Sequence, residues 1–178
     1  ETQLLEKRKE KIISFFKTSS LPYYIGLAFL MILGYLIRTK NLKLLIDVTT
    51  GKYLPVDLDA FLFLRYAKEV LENGALAAVD MMRYFPSGLE QIGEYGLLSH
   101  VKVWLYKFLH FFNPNVTIEY ADIIYPPIIF ALSLIFFFLF VRRLFDNRVA
   151  LLASAFLTVI PSYLFRSMAG VSDKEALA

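Results

Sequence analysis

IIYPPIIFALSLIFFFLFVRR, residues 123–143, carries no charge from Ile123 to Val141 and then two arginines in succession. As a helix rising 1.5 Å per residue, such a run reaches roughly 28 Å, close to the ~30 Å hydrocarbon thickness of a bilayer. Arg142, Arg143 and nearby Arg148 mark its cytoplasmic end, because basic residues favour that side. Pro126-Pro127 falls near the outer end, where a kink or a late helix start costs least. Reading outward, Leu21–Ile37 is a second uncharged run, preceded by Lys7, Arg8, Lys9, Lys11 and Lys17, and Val149–Phe165 is a third. No small-residue cleavage pattern follows Ile37, so the first run reads as a span and not as a signal peptide.

Alternation of three spans gives one topology. Residues 1–20 form a cytoplasmic basic segment, 21–38 the first transmembrane helix, and 39–117 a large structured external loop. Residues 118–141 form the second transmembrane helix, 142–148 a cytoplasmic loop, 149–165 the third transmembrane helix, and 166–178 the start of a second external loop. Arg38, Lys40 and Lys43 sit on the external side against the charge rule. The chain is thus expected to be a multi-pass, all-α membrane protein.

Composition agrees. The chain is 57% hydrophobic, against about 45–50% for soluble domains. With no cysteine and only His100 and His110, thiolate and histidine metal sites lack ligands, and any cation must be held by oxygen. The net charge of +3 comes with basic residues flanking apolar runs, so no nucleic-acid partner is implied.

Within the first loop, Arg65, Lys68, Glu69 and Glu72 recur at helical spacing between Asp59 and Asn73, and Asn73-Gly74 is a stop signal. Tyr84-Phe85-Pro86-Ser87-Gly88 reads as a turn, and Glu94–Phe112 as a further helical region. Trp104 reads as an interfacial anchor, since aromatics mixed with lysines suit the membrane boundary. Asn115-Val116-Thr117 is an acceptor sequon. Asp122, near the outer end of the second span, has no evident role.

Two acidic triplets lie more than a hundred residues apart, Asp57-Leu58-Asp59 and Asp173-Lys174-Glu175, and the topology returns both to the external face. In extended or turn-like backbone, residues i and i+2 point the same way, so each triplet can offer two carboxylates to a hard divalent cation. Either triplet also reads as a helix N-cap or a solvated loop charge.

The joint pattern is more specific. Asp59 followed by an aromatic-rich amphipathic helix ending in Asn73-Gly74, then Arg166-Ser167-Met168-Ala169-Gly170 leading to Asp173 and Glu175, resembles the catalytic subunit of oligosaccharyltransferase, especially its archaeal single-subunit forms. The resemblance covers the chain from about residue 20 onward. It implies a C-type glycosyltransferase fold with a divalent cation, Mn²⁺ or Mg²⁺, at the external surface. Asp59 matches a metal-binding aspartate beside the acceptor amide, and Asp173 a second metal ligand. Glu175 binds the cation directly or through water, Arg166 organises the acids, and Asp57 has no counterpart.

The reaction so implied moves an oligosaccharide from a dolichyl or polyprenyl phosphate carrier to the asparagine of Asn-x-Ser/Thr in an acceptor polypeptide, with inversion. The family also carries a later third acid and a Trp-Trp-Asp-Tyr-Gly sequon-binding motif, neither of which occurs here. The chain is therefore expected to be an N-terminal fragment, inactive alone. Another membrane glycosyltransferase using lipid-phosphate sugars, and a non-enzymatic scaffold, are the rival readings.

Overall fold

The computed structural model describes residues 19–90 and 96–176. The basic residues 7–17, the start of the helical region at Glu94, and Ala178 lie outside the described residues. Helix α1 spans Leu21–Arg38, α2 Leu58–Asn73, α3 Gly96–Phe112, α4 Ile118–Leu144, α5 Asn147–Val159 and α6 Pro161–Arg166. Short 3₁₀ turns occupy Leu42–Leu45 and Lys174–Ala176.

An all-α reading needs one correction. Strands β1 (Val79–Asp80) and β2 (Leu89–Glu90) pair antiparallel, with the expected Tyr84–Gly88 turn inside the connection between them. The hairpin closes against α2 because Asp80, 4% exposed, accepts from Arg65 Nη1 at 3.0 Å, Tyr66 Oη at 3.0 Å and the Met82 amide at 3.0 Å.

The third run, expected as one helix over residues 149–165, is not continuous. Among the described residues two helices, α1 and α4, are long and apolar enough to cross a membrane. The third run divides because Pro161 disfavours helical backbone at the residue before it. Ile160 is accordingly extended (φ −60°, ψ 123°), ending α5 after 13 residues and starting the short α6.

Helix α4 does not start late. Thr117 accepts the Tyr120 amide at 3.3 Å as an N-cap, and the helix runs through Pro126 and Pro127. Its first ten residues are buried almost all round, whereas beyond Pro127 one stripe, Phe130, Leu134, Phe138 and Val141, faces inward. Phe136 and Phe140 face outward. Helix α1 likewise buries only Leu27, Gly34 and Arg38 and exposes Ile25, Phe29, Ile32 and Leu36. A single inward stripe on an apolar helix is what a lipid environment permits.

These stripes meet on small residues of α5, where Ala150, Ser154 and Thr158 are buried. Ser154 and Thr158 donate to the carbonyls one turn earlier, each at 2.8 Å, so neither hydroxyl enters the apolar interior unpaired. A separate core forms where Phe63, Tyr66 and Leu98 of α2 and α3 pack on Tyr125 of α4. The molecule thus has an apolar three-helix part and a globular part, joined by α4.

Candidate active site

Asp57 occupies the N-cap position of α2 in extended backbone, but its side chain makes no capping hydrogen bond. Asp59 lies in the first turn of α2, exposed, where the helix dipole favours a carboxylate. The strand-like residues before them are tied to the second motif, because the Val56 amide donates to the Gly170 carbonyl at 2.9 Å. The backbones of the two acidic segments are therefore neighbours.

The second motif is stitched down residue by residue. The Ala169 amide donates to the Arg38 carbonyl at 2.9 Å, and Asn41 Nδ2 donates to the Ala169 carbonyl at 2.8 Å. The Gly170 amide donates to the Ile123 carbonyl at 3.0 Å. That carbonyl is available because Pro127, four residues on, has no N–H to give it. The proline pair inside α4 thus exposes a docking point for the loop. Gly170 adopts φ +89°, and a Cβ there would sit 2.9 Å from both Leu45 and Val56. Only glycine accommodates this turn and this closeness together.

Arg38, an outlier for the charge rule, is not on the surface. It is fully buried, with its guanidinium over the Phe130 ring at 3.3 Å. Its Nε donates to Ser167 Oγ at 2.8 Å and its Nη1 to the Thr158 carbonyl at 3.1 Å, joining the end of α1 to the Arg-Ser-Met-Ala-Gly segment.

Asp122 also acquires partners. It forms a 2.7 Å ion pair with Lys102 of α3, both side chains fully buried. Ser172 Oγ donates to Asp122 at 2.8 Å, and Lys102 Nζ donates to the Ser172 carbonyl at 2.8 Å. Burial pushes the Lys102 ammonium below its ordinary pKa, with the charge of Asp122 pulling against that shift. The next residue, Asp173, is 5% exposed. Glu175, partly exposed, pairs with Arg166 at 2.7 Å.

Asp59, Asp173 and Glu175 are oxygen donors of the hard type that Mg²⁺ or Mn²⁺ takes. Among the described residues, however, no three His, Asp or Glu side chains group closely enough to hold a metal ion. Asp59, Asp173 and Glu175, the ligands that the family resemblance implies, are thus not brought into one metal-sized cluster. His100 and His110 instead contact the carbonyls of Gly96 at 2.6 Å and Val116 at 3.1 Å, and Trp104 is 60% exposed on α3. Asn115 is exposed, while the hydroxyl of Thr117 is engaged as the α4 cap. Lys102 and Arg38 were the residues missed from sequence, and their signal was a cation on a mainly apolar helix.

The model of the family Oligosaccharyl transferase STT3, N-terminal, matches residues 17–178. The chain is 27% identical over 157 residues to a dolichyl-phosphooligosaccharide-protein glycotransferase of Methanococcus voltae, covering 82% of this chain and 17% of that protein. It is 29% identical over 126 residues to the dolichyl-diphosphooligosaccharide–protein glycosyltransferase subunit stt3 of Schizosaccharomyces pombe, covering 68% of this chain and 17% of that protein. The chain thus spans about a sixth of the length of these relatives.

Two structures of the Archaeoglobus fulgidus oligosaccharyltransferase share the fold. The AglB complex with an inhibitory peptide and a dolichol-phosphate aligns with a TM-score of 0.72 at 19% identity, covering 92% of this chain and 18% of that one. The complex with Zn and sulfate aligns at 0.70 and 20% identity, covering 85% of this chain and 19% of that one. With the family model matched over nearly its whole length, this chain belongs to the oligosaccharyl transferase STT3 family, as part of its N-terminal region.

Proposed function

We propose that this chain is the N-terminal membrane part of an enzyme that N-glycosylates proteins. It transfers an oligosaccharide from a dolichyl or polyprenyl phosphate carrier to the asparagine of an Asn-x-Ser/Thr acceptor. The observation that carries the reading is the Val56–Gly170 hydrogen bond, which makes neighbours of two acidic segments more than a hundred residues apart. Family membership supports it, as does the AglB structure with peptide and dolichol-phosphate.

In this reading Asp59 and Asp173 would hold a divalent cation, with Glu175 as a further oxygen donor, although this structure does not group the three side chains closely enough for an ion. Bound there, the cation supplies positive charge to the leaving phosphate. The acceptor amide nitrogen is a poor nucleophile, its lone pair being delocalised into the carbonyl. Asp59 accepts its N–H and orients the nitrogen toward the sugar carbon. Arg166, paired with Glu175 at 2.7 Å, orients that carboxylate. The acids face the extracytoplasmic side, and the Arg142–Arg143 end faces the cytoplasm.

Asp59→Asn and Asp173→Asn in the full-length protein test this. Each is expected to reduce glycopeptide formation on the order of 100-fold or more, with the melting temperature nearly unchanged for exposed Asp59. Asp57→Asn is expected to retain activity. Parent-like turnover in both Asp59→Asn and Asp173→Asn would sink the assignment.

A further inference from the structure

Three elements converge on one buried ion pair. Lys102 of α3 and Asp122 of α4 are each fully buried, 2.7 Å apart. The same Lys102 Nζ donates to the Ser172 carbonyl at 2.8 Å, and Ser172 Oγ donates to Asp122 Oδ1 at 2.8 Å. Ser172 is therefore held through its backbone and its side chain at once, immediately before Asp173. The ammonium also lies 5.4 Å from the Phe63 ring centroid and 5.7 Å from that of Tyr125, so α2 helps enclose the pair.

Stability alone does not explain such a pair. Two charges withdrawn from water recover their desolvation poorly, and apolar side chains of similar size commonly hold helices together as well or better. An apolar pair would join α3 to α4, but it could not also bind a carbonyl and a hydroxyl arriving from a distant loop. The carbonyl and the hydroxyl of Ser172 both bond to the pair, and the residue after it is the nearly buried acid of the second motif.

We propose that Lys102 and Asp122 are positioning residues for the second acidic motif: their ion pair anchors Ser172 and thereby sets where the Asp173 carboxylate stands. This rests on the role given to Asp173 above. Neither residue touches reacting atoms. They act on the loop as partners behind metal ligands do, whose loss typically costs 10–100-fold in affinity or activity.

The test is K102M/D122L in the full-length protein, which replaces both charges with apolar side chains of similar length. Expected are a melting temperature close to the parent's, hydrogen exchange at residues 170–175 faster by about 10-fold or more, and Mn²⁺ affinity weakened about 10–100-fold. Glycopeptide kcat should fall with KM for the acceptor peptide unchanged. A folded double variant with parental exchange at 170–175 and parental Mn²⁺ affinity overturns the proposal. Should the double variant not fold, Ser172→Ala decides, since it removes one link and leaves the ion pair intact: several-fold weaker Mn²⁺ binding supports the proposal, and unchanged binding overturns it. A parent protein that forms no glycopeptide sinks the proposed function alone, because the exchange of residues 170–175 still reports whether the ion pair holds the loop.

Discussion

At Gly170 two constraints coincide: backbone at φ +89° and side chains of Leu45 and Val56 that a Cβ would meet at 2.9 Å. Gly74, at φ +81°, has the first constraint and open space where the second would be. Left-handed backbone costs an L-residue about 1–2 kcal/mol, and forcing a methyl into a packed contact adds about 1–3 kcal/mol. Gly74→Ala is therefore expected to lose roughly 1–2 kcal/mol and Gly170→Ala roughly 2–5 kcal/mol. Thermal melts of the two variants check the difference, and equal losses would show that the Val56 contact carries no weight. Gly170→Ala should also depress turnover, since its methyl pushes on Val56, whose amide joins the two acidic segments.

The β1–β2 hairpin is tied to α2 by the Asp80 carboxylate, alongside the donation from Arg83 Nη1 to Tyr66 Oη at 3.4 Å. Hydrogen bonding from the Arg65 guanidinium holds Asp80 at a pKa of about 2, helped by the Met82 amide and Tyr66 hydroxyl against the opposing effect of burial. A carboxyl whose folded pKa lies below its unfolded value of about 3.9 contributes stability that is complete above that value. The contribution drains away as pH falls toward about 2. Because Arg65 is partly exposed, the contribution is taken as at most about 2 kcal/mol. Asp80→Asn should thus lower the melting temperature at pH 7, with the gap narrowing below about pH 4 and closing as pH falls through about 2. A gap that widens on acidification would reverse the assignment.

This hairpin also marks where the sequence stopped being legible at the level of elements. The helical spacing of Arg65, Lys68, Glu69 and Glu72, followed by Asn73-Gly74, located α2 because amphipathic period and stop signal are local properties. Asp80 carried no local signal, since its partners come from α2 and reach it only through tertiary packing. The two prolines of α4 left a kink or a late start equally open on local grounds, whereas the start expected at residue 118 is secured by the Thr117 cap, and the Gly170 amide takes the carbonyl that Pro127 leaves open. The acidic triplets were visible as motifs, whereas the Lys102–Asp122–Ser172 network behind them depends on contacts across three elements.

For the whole molecule, the ends of α4 differ in chemistry. At one end Ile123 docks the Gly170 loop, and Lys68 pairs with Glu119 at 2.8 Å. At the other, Arg142 contacts the Tyr24 hydroxyl, and Arg148 Nε donates to the Tyr23 hydroxyl at 3.4 Å. Residues 123 and 144 are about 30 Å apart along one helix. The chain leaves the arginine end at Asn147 and is hydrogen-bonded to Ile123 by Gly170, so α5 and α6 together traverse a bilayer's thickness although α5 alone reaches only about 20 Å. A helix broken at Ile160-Pro161 is tolerated at that depth where protein surrounds the freed backbone, and the guanidinium of Arg38 bonds the Thr158 carbonyl there. In the proposed topology the positive-inside rule places the Arg142–Arg143 end at the cytoplasm.

Because the chain has no cysteine, single introduced cysteines report the topology without background. Cysteine at exposed Glu72, Phe145 or Lys174 leaves the buried contacts intact. A membrane-impermeant maleimide added to intact cells is expected to label positions 72 and 174 and to spare 145 until the membrane is opened. Labelling of 72 without 174 would mean that α5 and α6 do not cross. Labelling of 145 alone would invert the orientation and place the acidic segments on the cytoplasmic face.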